Sequence, residues 1–360
     1  MHKLAAQLFE TEAERMEFVS ALTEGEWKEQ GLIVVHDSPV INSFPLYRPL
    51  PWQPNFVRRL SDAGDFKPAK HPLYAKGAYY SLDFSSAFAA SAMMAIPRAP
   101  RRILDLCSSP GGKAVFAWRA FLKDAESAVK GPRLFCNEIM RKRVGTLVEN
   151  LIRCKVTDSA VTPLDPSVWS HYGRGMFDLV IVDAPCSGQS LYAKGSFTEG
   201  AFDPKNMVLC ISRQRRIVGH ALDCIRPGGY LLYMTFTFNK EENEKVINWI
   251  TRKFEGVKAV EIPGLEAYKS RFTEEPCYRL YPQSGLGAGA FTCLLKTPGG
   301  PEDDIIPPDL PKMNFDPMWI YGEDWPMPVR TRKMPVLEKV EPEEPLDDLM
   351  KEVLGEDEST

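Results

Sequence analysis

The sequence predicts an α/β fold in which helices cover both faces of a mostly parallel, doubly wound sheet. From about residue 100, short apolar runs alternate with stretches of helical periodicity, which is the pattern of consecutive β-α-β units. Strands buried on both faces show nearly continuous apolar runs, as these do. The predicted strands are 103–107, 133–136, 177–183, 229–235 and 290–296, and the predicted helices are about 112–122, 141–153, 206–226 and 240–254.

Length and composition are those of an ordinary globular protein. The chain has 360 residues, of which 44% are apolar and 26% charged, which predicts about two domains and excludes disorder throughout. No window approaches the roughly 18 apolar residues of a membrane span, and the N-terminus does not resemble a secretory signal, so we expect a cytoplasmic protein without a membrane partner. The eight cysteines include no Cys-x-x-Cys pair, so neither a disulfide framework nor a metal site is expected.

Three segments of different composition predict the domain organisation. Residues 1–95 predict a small N-terminal α+β domain, residues 96–298 contain the β-α units, and residues 299–360 form a Pro-rich acidic tail that we expect to be largely extended or disordered. From residue 301 the chain has 6 Lys/Arg and 17 Asp/Glu, against 38 and 31 before it. The basic body suits a polyanionic partner, and an aromatic stretch in the tail, 315–325, is able to dock on another surface.

Basic and aromatic side chains are interleaved in the N-terminal segment. They would either grip RNA phosphates and stack on bases or simply coat a small domain, and the sequence leaves both interpretations open. These residues are Trp52, Phe56, Arg58, Arg59, Lys67, Lys70 and Lys76.

A glycine-rich turn follows the first predicted strand of the β-α units. It consists of Cys107-Ser-Ser-Pro-Gly-Gly-Lys113 and leads directly into a helix. Such a turn lets a ligand approach the backbone near a helix N-terminus, although it can also simply connect the strand to the helix. Because it is neither a dinucleotide fingerprint nor a phosphate-binding loop, it predicts a nucleotide site but not one for a dinucleotide or a triphosphate.

Three carboxylates are predicted at the ends of successive parallel strands. Glu138 is a candidate to accept hydrogen bonds from ribose hydroxyls, and Asp165 either faces an adenine amino group or belongs to an ordinary turn. Asp183 begins the segment Asp-Ala-Pro-Cys-Ser-Gly, in which Cys186 is either a site of thiolate chemistry or an inert buried cysteine. Since parallel strands end at one edge of a sheet, we expect these residues to lie beside the glycine-rich turn.

Four motifs occur in a fixed order along the predicted fold. They are Cys-Ser-Ser-Pro-Gly-Gly-Lys at 107–113, Asp-Ala-Pro-Cys-Ser-Gly at 183–188, Arg-Pro-Gly-Gly-Tyr at 226–230 and Thr-Phe-Thr-Phe-Asn-Lys-Glu-Glu-Asn-Glu at 235–244. Together they resemble the RsmB/NOP/Sun family of S-adenosylmethionine-dependent RNA cytosine-5 methyltransferases, over about residues 70–297. The resemblance implies a Rossmann-like class I methyltransferase fold with seven strands in the order 3-2-1-4-5-7-6, the last strand antiparallel. It also implies S-adenosyl-L-methionine as the cofactor and rRNA or tRNA as the substrate.

The resemblance further implies which residues hold the cofactor. Glu138 would bind the ribose hydroxyls, Asp165 would lie near the adenine, and Asp183 would close the site toward the substrate base. The methionine and ribose part would be surrounded by the turn residues Cys107, Ser108, Ser109, Pro110, Gly111, Gly112 and Lys113.

The chain departs from the family at the residue that matters most for catalysis. In the family, a cysteine in a Thr-Cys-Thr segment adds to carbon-6 of cytosine so that carbon-5 becomes nucleophilic, and the Pro-Cys thiol assists release. Here the matching segment contains Phe236 instead of that cysteine. Three interpretations stay open. The protein is a catalytically degenerate RNA-binding or assembly factor that retains the cofactor pocket, or it is an enzyme in which Cys186 attacks the base, with Asp183 as the second catalytic candidate. In the third interpretation, the methyl group is transferred to a different acceptor atom while Phe236 stacks on the base. A small-molecule methyltransferase, which would show no salt-dependent RNA affinity, is a further alternative.

Overall fold

The computed structural model describes residues 1–24, 31–61, 66–122, 131–197, 199–299, 319–321, 346 and 349–351. Its helices are α1 (His2–Leu8), α2 (Glu12–Thr23), α3 (Pro72–Ala75), α4 (Phe84–Ser91), α5 (Gly112–Phe121), α6 (Arg141–Arg153), α7 (Pro166–Tyr172), α8 (Pro204–Cys224) and α9 (Glu244–Lys253). Its strands are β1 (Gly31–Val34), β2 (Val57–Arg59), β3 (Tyr79–Leu82), β4 (Arg102–Asp105), β5 (Arg133–Asn137), β6 (Ser159–Thr162), β7 (Phe177–Asp183), β8 (Ile225–Thr235), β9 (Lys258–Ala259), β10 (Tyr278–Leu280), β11 (Ala290–Lys296) and β12 (Trp319–Tyr321).

The main sheet has the predicted doubly wound topology. Its strands run in the order β10-β11-β8-β7-β4-β5-β6-β12, with β4 to β8 parallel and β11 antiparallel to β8. This confirms the expected order 3-2-1-4-5-7-6. The sheet has nine strands instead of the expected seven, because the sixth position is divided between β9 and β10, which both pair with β11, and because β12 adds an edge strand beside β6.

Helices pack on both faces of this sheet. Residues of α4, α5 and α6 belong to one hydrophobic core and residues of α7, α8 and α9 to the other. The predicted strand 103–107 ends two residues earlier, at Asp105, where the glycine-rich turn begins. The predicted helix 240–254 begins only at Glu244, because the preceding polar residues are held in a turn by buried hydrogen bonds, such as that of the Glu242 backbone N–H to Asn239 Oδ1 at 2.7 Å.

The N-terminal part is an α+β unit whose core is continuous with that of the main sheet. Its antiparallel sheet has the order β2-β1-β3. Trp52 and Phe56, which were candidates for stacking on RNA bases, are only 7% and 5% exposed and belong to the same core as Phe116 of α5. The stacking prediction is therefore wrong for these two residues, since their rings pack against the main sheet's helices. Arg153 of α6 adds polar contacts, donating to the carbonyl oxygens of Tyr74 and Tyr79, each at 3.1 Å.

The tail is described at few positions. Strand β12 falls within the aromatic stretch 315–325, and its backbone pairs antiparallel with β6 from Trp319↔Val161 to Tyr321↔Ser159. Leu349 is buried in the core that contains α7 and α8. Most of the predicted tail, 299–360, lies outside the described residues.

Within the described ranges, no helix has both the length and the apolarity that crossing a bilayer requires. Over the same ranges, His, Cys, Asp and Glu side chains form no group of three or more arranged to hold a metal ion.

Gly77 provides a test of how the N-terminal part docks on α6. A Cβ at this position would lie 1.6 Å from the carbonyl oxygen of Arg153, whereas a Cβ at Gly175 would meet no atom within 4 Å. Both glycines have a similar positive φ, +71° and +66°, so alanine brings similar backbone strain of about 1–2 kcal/mol at each. We expect Gly77→Ala to lower the free energy of unfolding in urea by at least about 3 kcal/mol more than Gly175→Ala. Equal losses would contradict the docked arrangement.

Candidate functional site

The candidate site lies at the carboxyl ends of the central parallel strands. The glycine-rich turn connects β4 to α5, and the backbone N–H of Ser108 donates to the carbonyl oxygen of Asn137 at the end of β5. Gly111 has φ +111°, and a Cβ there would lie 3.2 Å from Leu147 of α6. Glycine therefore lets the turn pass close to the neighbouring helix. No side chain caps the N-terminus of α5, so its first N–H groups lack side-chain partners and suit a ligand.

Asp105 is the most unusual group of the site, and sequence reasoning missed it. It is the last residue of β4 and is 0% exposed, yet neither carboxylate oxygen forms a hydrogen bond of normal geometry with the described residues, although the Ser108 hydroxyl and the Cys107 backbone N–H lie close enough to lower its pKa. Burial raises the pKa of Asp105 to about 7, with a contribution from the Asp183 charge, while Ser108 and Lys113 oppose the rise. Buried carboxylates normally have partners, so this one suits a cationic group of a ligand. The only feature of the sequence that could have indicated Asp105 as a site residue is its acidic side chain within an otherwise apolar predicted strand.

Glu138 is linked to the glycine-rich turn through Arg143. Its Oε1 accepts a hydrogen bond from the Met140 backbone N–H at 2.8 Å, and its Oε2 lies 3.2 Å from Arg143 Nη1. Arg143 also donates through Nη2 to the carbonyl oxygen of Ser109 at 2.6 Å. The structure thus brings Glu138 and the turn together, as expected. Beside Glu138, the side chains of Ile139 and Met140 are exposed and form an apolar rim.

Asp165 is already engaged by protein donors. It is the N-cap of α7, where Oδ1 accepts from the backbone N–H of Ser167 at 3.0 Å, and it forms a bidentate pair with Arg216 at 3.1 Å for each contact. Burial of the carboxyl acts to raise the pKa of Asp165, but the hydrogen bonds from Arg216 and Ser167 outweigh burial and lower this pKa. Asp165 is therefore ionised at neutral pH, and its less occupied oxygen, Oδ2, is the one that would face a ligand.

Asp183, Lys113 and Phe236 meet on the other side of the turn. Asp183 Oδ2 lies 2.7 Å from Lys113 Nζ, and both side chains are largely buried. The same ammonium lies 4.3 Å from the centroid of the Phe236 ring. The ion pair thus joins the glycine-rich turn to the end of β7, while the aromatic ring shields the ammonium from solvent.

Cys186 lies beside Phe236, in the segment that follows Asp183. It is partly exposed, like Cys107, whereas the other six cysteines of the chain are buried. Burial of the sulfur and the Glu242 carboxylate raise the pKa of Cys186 well above its usual value. The backbone N–H of Phe236 points at Cys186 Sγ, at 3.4 Å, and opposes this rise. Burial and the Glu242 charge therefore favour the thiol of Cys186 over the thiolate.

Two buried residues that the sequence did not single out fix the backbone around Cys186. Glu242 Oε2 accepts from the backbone N–H of Ser187 at 2.9 Å and from Gln214 Nε2 at 2.8 Å. Gln214 Nε2 also donates to the carbonyl oxygen of Pro185 at 3.0 Å. The residues on both sides of Cys186 are therefore held by one buried Glu–Gln pair. In the sequence, Glu242 is an acidic residue within a segment predicted as helix, and this pattern does not indicate that its side chain is buried.

The pH dependence of stability tests the environment of Asp105. The pKa of Asp105 is about 7 in the folded protein, against 3.8 as the reference value for the unfolded chain. Folding therefore favours the protonated carboxyl, and the free energy of unfolding falls as the pH rises from about 4 through 7. Asp105→Asn removes this loss. We expect the unfolding free energy of the variant relative to wild type to rise by about 2–3 kcal/mol from pH 5 to pH 8. A difference that does not change with pH, measured by urea unfolding, would show that Asp105 has an ordinary pKa.

Comparison with known proteins identifies the family. A family model described as "16S rRNA methyltransferase RsmB/F" matches residues 92–296. A ribosomal RNA small subunit methyltransferase F from Escherichia coli (strain SMS-3-5 / SECEC) is 29% identical over 251 residues, which cover 69% of this chain and 51% of that protein. The same enzyme from Escherichia coli O9:H4 (strain HS) is 31% identical over 222 residues, covering 61% and 45%. The chain thus spans about half the length of the curated relatives that it matches.

Solved structures show the same fold. A methyltransferase homologue from Pyrococcus horikoshii superimposes with a TM-score of 0.66 at 21% identity, covering 82% of this chain and 93% of that one. NSun6 from Pyrococcus horikoshii gives 0.66 at 17% identity, covering 82% and 97%. The predicted Rossmann-like methyltransferase fold is confirmed. Because the family model matches more than half of its residues, the chain belongs to the 16S rRNA methyltransferase RsmB/F family.

Proposed function

We propose that the protein binds S-adenosyl-L-methionine at the carboxyl ends of β4 and β5 and methylates carbon-5 of a cytosine in rRNA or tRNA. The observation that carries the proposal is the buried carboxylate of Asp105 at the tip of the first central strand, which forms no hydrogen bond of normal geometry with the part of the chain that the structure describes. A carboxylate in that state matches a ligand that is cationic at neutral pH. Membership of the methyltransferase family and the named activity of its curated relatives support the same assignment.

The residues around the turn fit such a cofactor. Asp105 would face its cationic amino acid part, with the Ser108 hydroxyl as a further partner, because both groups are buried and form no hydrogen bond of normal geometry with the described residues. Glu138 would accept hydrogen bonds from the ribose hydroxyls, and the exposed Ile139 would pack against the adenine ring. Asp165 would contact the adenine amino group through its less occupied oxygen. When bound, the cofactor supplies a methyl group on a cationic sulfur.

The residues beside the cofactor region would bind and activate the base. Cys186 would add to carbon-6, forming the S–C6 bond as the thiol proton leaves to solvent, and the Phe236 backbone N–H would stabilise the thiolate. The Lys113–Asp183 pair would supply the proton that ring nitrogen 3 needs, so that the electron density moves to carbon-5. After methylation, a water molecule takes the carbon-5 proton, the C5=C6 double bond re-forms as the S–C6 electron pair returns to sulfur, and ring nitrogen 3 gives its proton back to the Lys113–Asp183 pair. Phe236 would stack on the base.

One observation favours a second candidate function. The high pKa of Cys186, caused by burial and by Glu242, disfavours the thiolate, and Phe236 stands where the family resemblance places the attacking cysteine. The second candidate is therefore an RNA-binding or assembly factor that retains the cofactor pocket without covalent catalysis. In either case, we propose that residues 1–95 act as an accessory RNA-facing unit. Its exposed lysines, and not its buried aromatic rings, would contact phosphates; they are Lys67, Lys70 and Lys76.

A methyl-transfer assay on total RNA tests the assignment of the nucleophile. We expect wild type to form 5-methylcytidine and Cys186→Ala to lose at least about 1000-fold in rate, because no other residue would form the adduct. Cys224→Ala is the matched control, since it removes a buried thiol at the C-terminal end of α8, where the neighbouring charges are Asp223 and Arg174, and should leave the rate nearly unchanged. The product is identified by mass spectrometry of digested RNA.

Each other outcome has a defined meaning. Methylation that survives Cys186→Ala, on a nitrogen or oxygen atom, would contradict covalent catalysis and support a different acceptor. The absence of transfer by wild type to any RNA, with cofactor affinity retained, would support the non-catalytic candidate. A gain of 5-methylcytidine only in Phe236→Cys would show that the thiol of the family position, and not Cys186, is required.

A further inference from the structure

We propose that the segment following Cys186 carries a stacking site for an unpaired RNA base next to the target cytosine, and that Phe197 is the stacking side chain. This segment, residues 189–197 and 199–201, is called the rim loop below. The inference rests on the proposed function in taking RNA as the partner, and it adds a contact that no motif of the family covers.

The rim loop is anchored at the same edge of the sheet as the pocket. Gln189 Oε1 accepts hydrogen bonds from the backbone N–H groups of Phe238 at 2.9 Å and Asn239 at 3.2 Å. Gln189 Nε2 donates to the carbonyl oxygen of Ala201 at 3.1 Å, which brings the two ends of the loop together. The backbone N–H of Ser190 donates to the carbonyl oxygen of Phe236 at 3.2 Å. The loop is thus fixed to the segment that follows β8 and projects from the pocket's border.

Phe197 is held outward on this loop. Its side chain is 71% exposed, the highest value among the large apolar residues that the structure describes. The ring meets Tyr192 edge-on, with centroids 5.1 Å apart and an angle of 78°, and Tyr192 in turn packs edge-on against Phe202. Such support keeps the ring away from the protein core and leaves its faces accessible. A base that stacks there would gain about 1–3 kcal/mol.

The surroundings of Phe197 favour an unpaired nucleotide over a protein partner. Its loop neighbours are small or polar, and the exposed charges near it are of both signs, Lys194 and Glu199. The Lys194 charge is partly neutralised by Asp83, at 3.2 Å. The ring belongs to a small cluster with Tyr192 and Phe202, which are themselves partly buried, so only Phe197 offers a widely exposed ring and the cluster is smaller than the packed centre that protein interfaces need. An RNA base needs only the ring face, so stacking and not phosphate attraction would supply the affinity.

The test uses the full-length protein and a fluorescein-labelled single-stranded RNA of 12 nucleotides, with one cytosine flanked by purines. Dissociation constants are measured by anisotropy at two salt concentrations. We expect Phe197→Ala to weaken binding by roughly 5- to 150-fold and Phe197→Trp to restore it, with no change in the salt dependence because no phosphate contact is lost. Ile152→Ala is the control, since Ile152 is also exposed, at 54%, but lies at the far end of α6.

The outcomes separate this inference from the proposed function. Equal affinity of Phe197→Ala and wild type, or an equal loss in Ile152→Ala, would overturn the stacking site even if 5-methylcytidine is formed. A smaller salt dependence in Phe197→Ala would also overturn it. If binding depends on Phe197 while no methyl group is transferred, the stacking site stands and the methyltransferase assignment fails.

Discussion

The site depends on a carboxylate that the fold buries at a strand end with no hydrogen bond of normal geometry from the described residues. Asp105 ends β4, the first central strand, where it is fully buried and where neither oxygen finds such a partner in the described part of the chain. An unpartnered buried acid is costly to folding and raises its own pKa, to about 7 here. A protein that keeps such a group gains from it only when a ligand supplies the missing partner. The uncapped start of α5 and the nearby Glu138 complete a pocket with that character.

Around this pocket, buried polar groups have two distinct functions. Asp105 has no hydrogen-bond partner of normal geometry among the described residues and suits a ligand, whereas Glu242 Oε2 and Gln214 Nε2 pair with each other and with the backbone on both sides of Cys186. The carboxylate of Asp105 therefore stays available to a ligand, whereas the Glu242–Gln214 pair fixes the position of the Cys186 thiol. The Lys113–Asp183 pair connects the two regions. Chemistry at Cys186 would therefore depend on a rigid backbone and on ligands that offset the charges raising its pKa.

Much of the fold was predictable, because strands buried on both faces produce recognisable apolar runs and because parallel strands end at one edge. The same rule brought Glu138, Asp183 and the glycine-rich turn together. Other features depend on tertiary packing, which a sequence pattern does not reveal. Asp105 lies within an apolar run of the sequence, and this pattern does not indicate a ligand-binding role. The pattern around Trp52 is that of a surface aromatic residue, and its burial follows only from the packing of the N-terminal part on α5. The partner of Asp165, Arg216, is 51 residues away in sequence, so no local pattern connects the two side chains.

Titration calorimetry with S-adenosyl-L-methionine tests the central claim most directly, when it is repeated near pH 7 in buffers of different ionisation enthalpy. If the cationic cofactor pairs with Asp105, binding lowers the pKa of this carboxyl from about 7 and releases about half a proton, so the observed heat depends on the buffer. The Asp105→Asn variant should bind S-adenosyl-L-methionine more weakly and release fewer protons on binding. No binding heat with wild type, or a heat that is the same in every buffer, would contradict the account.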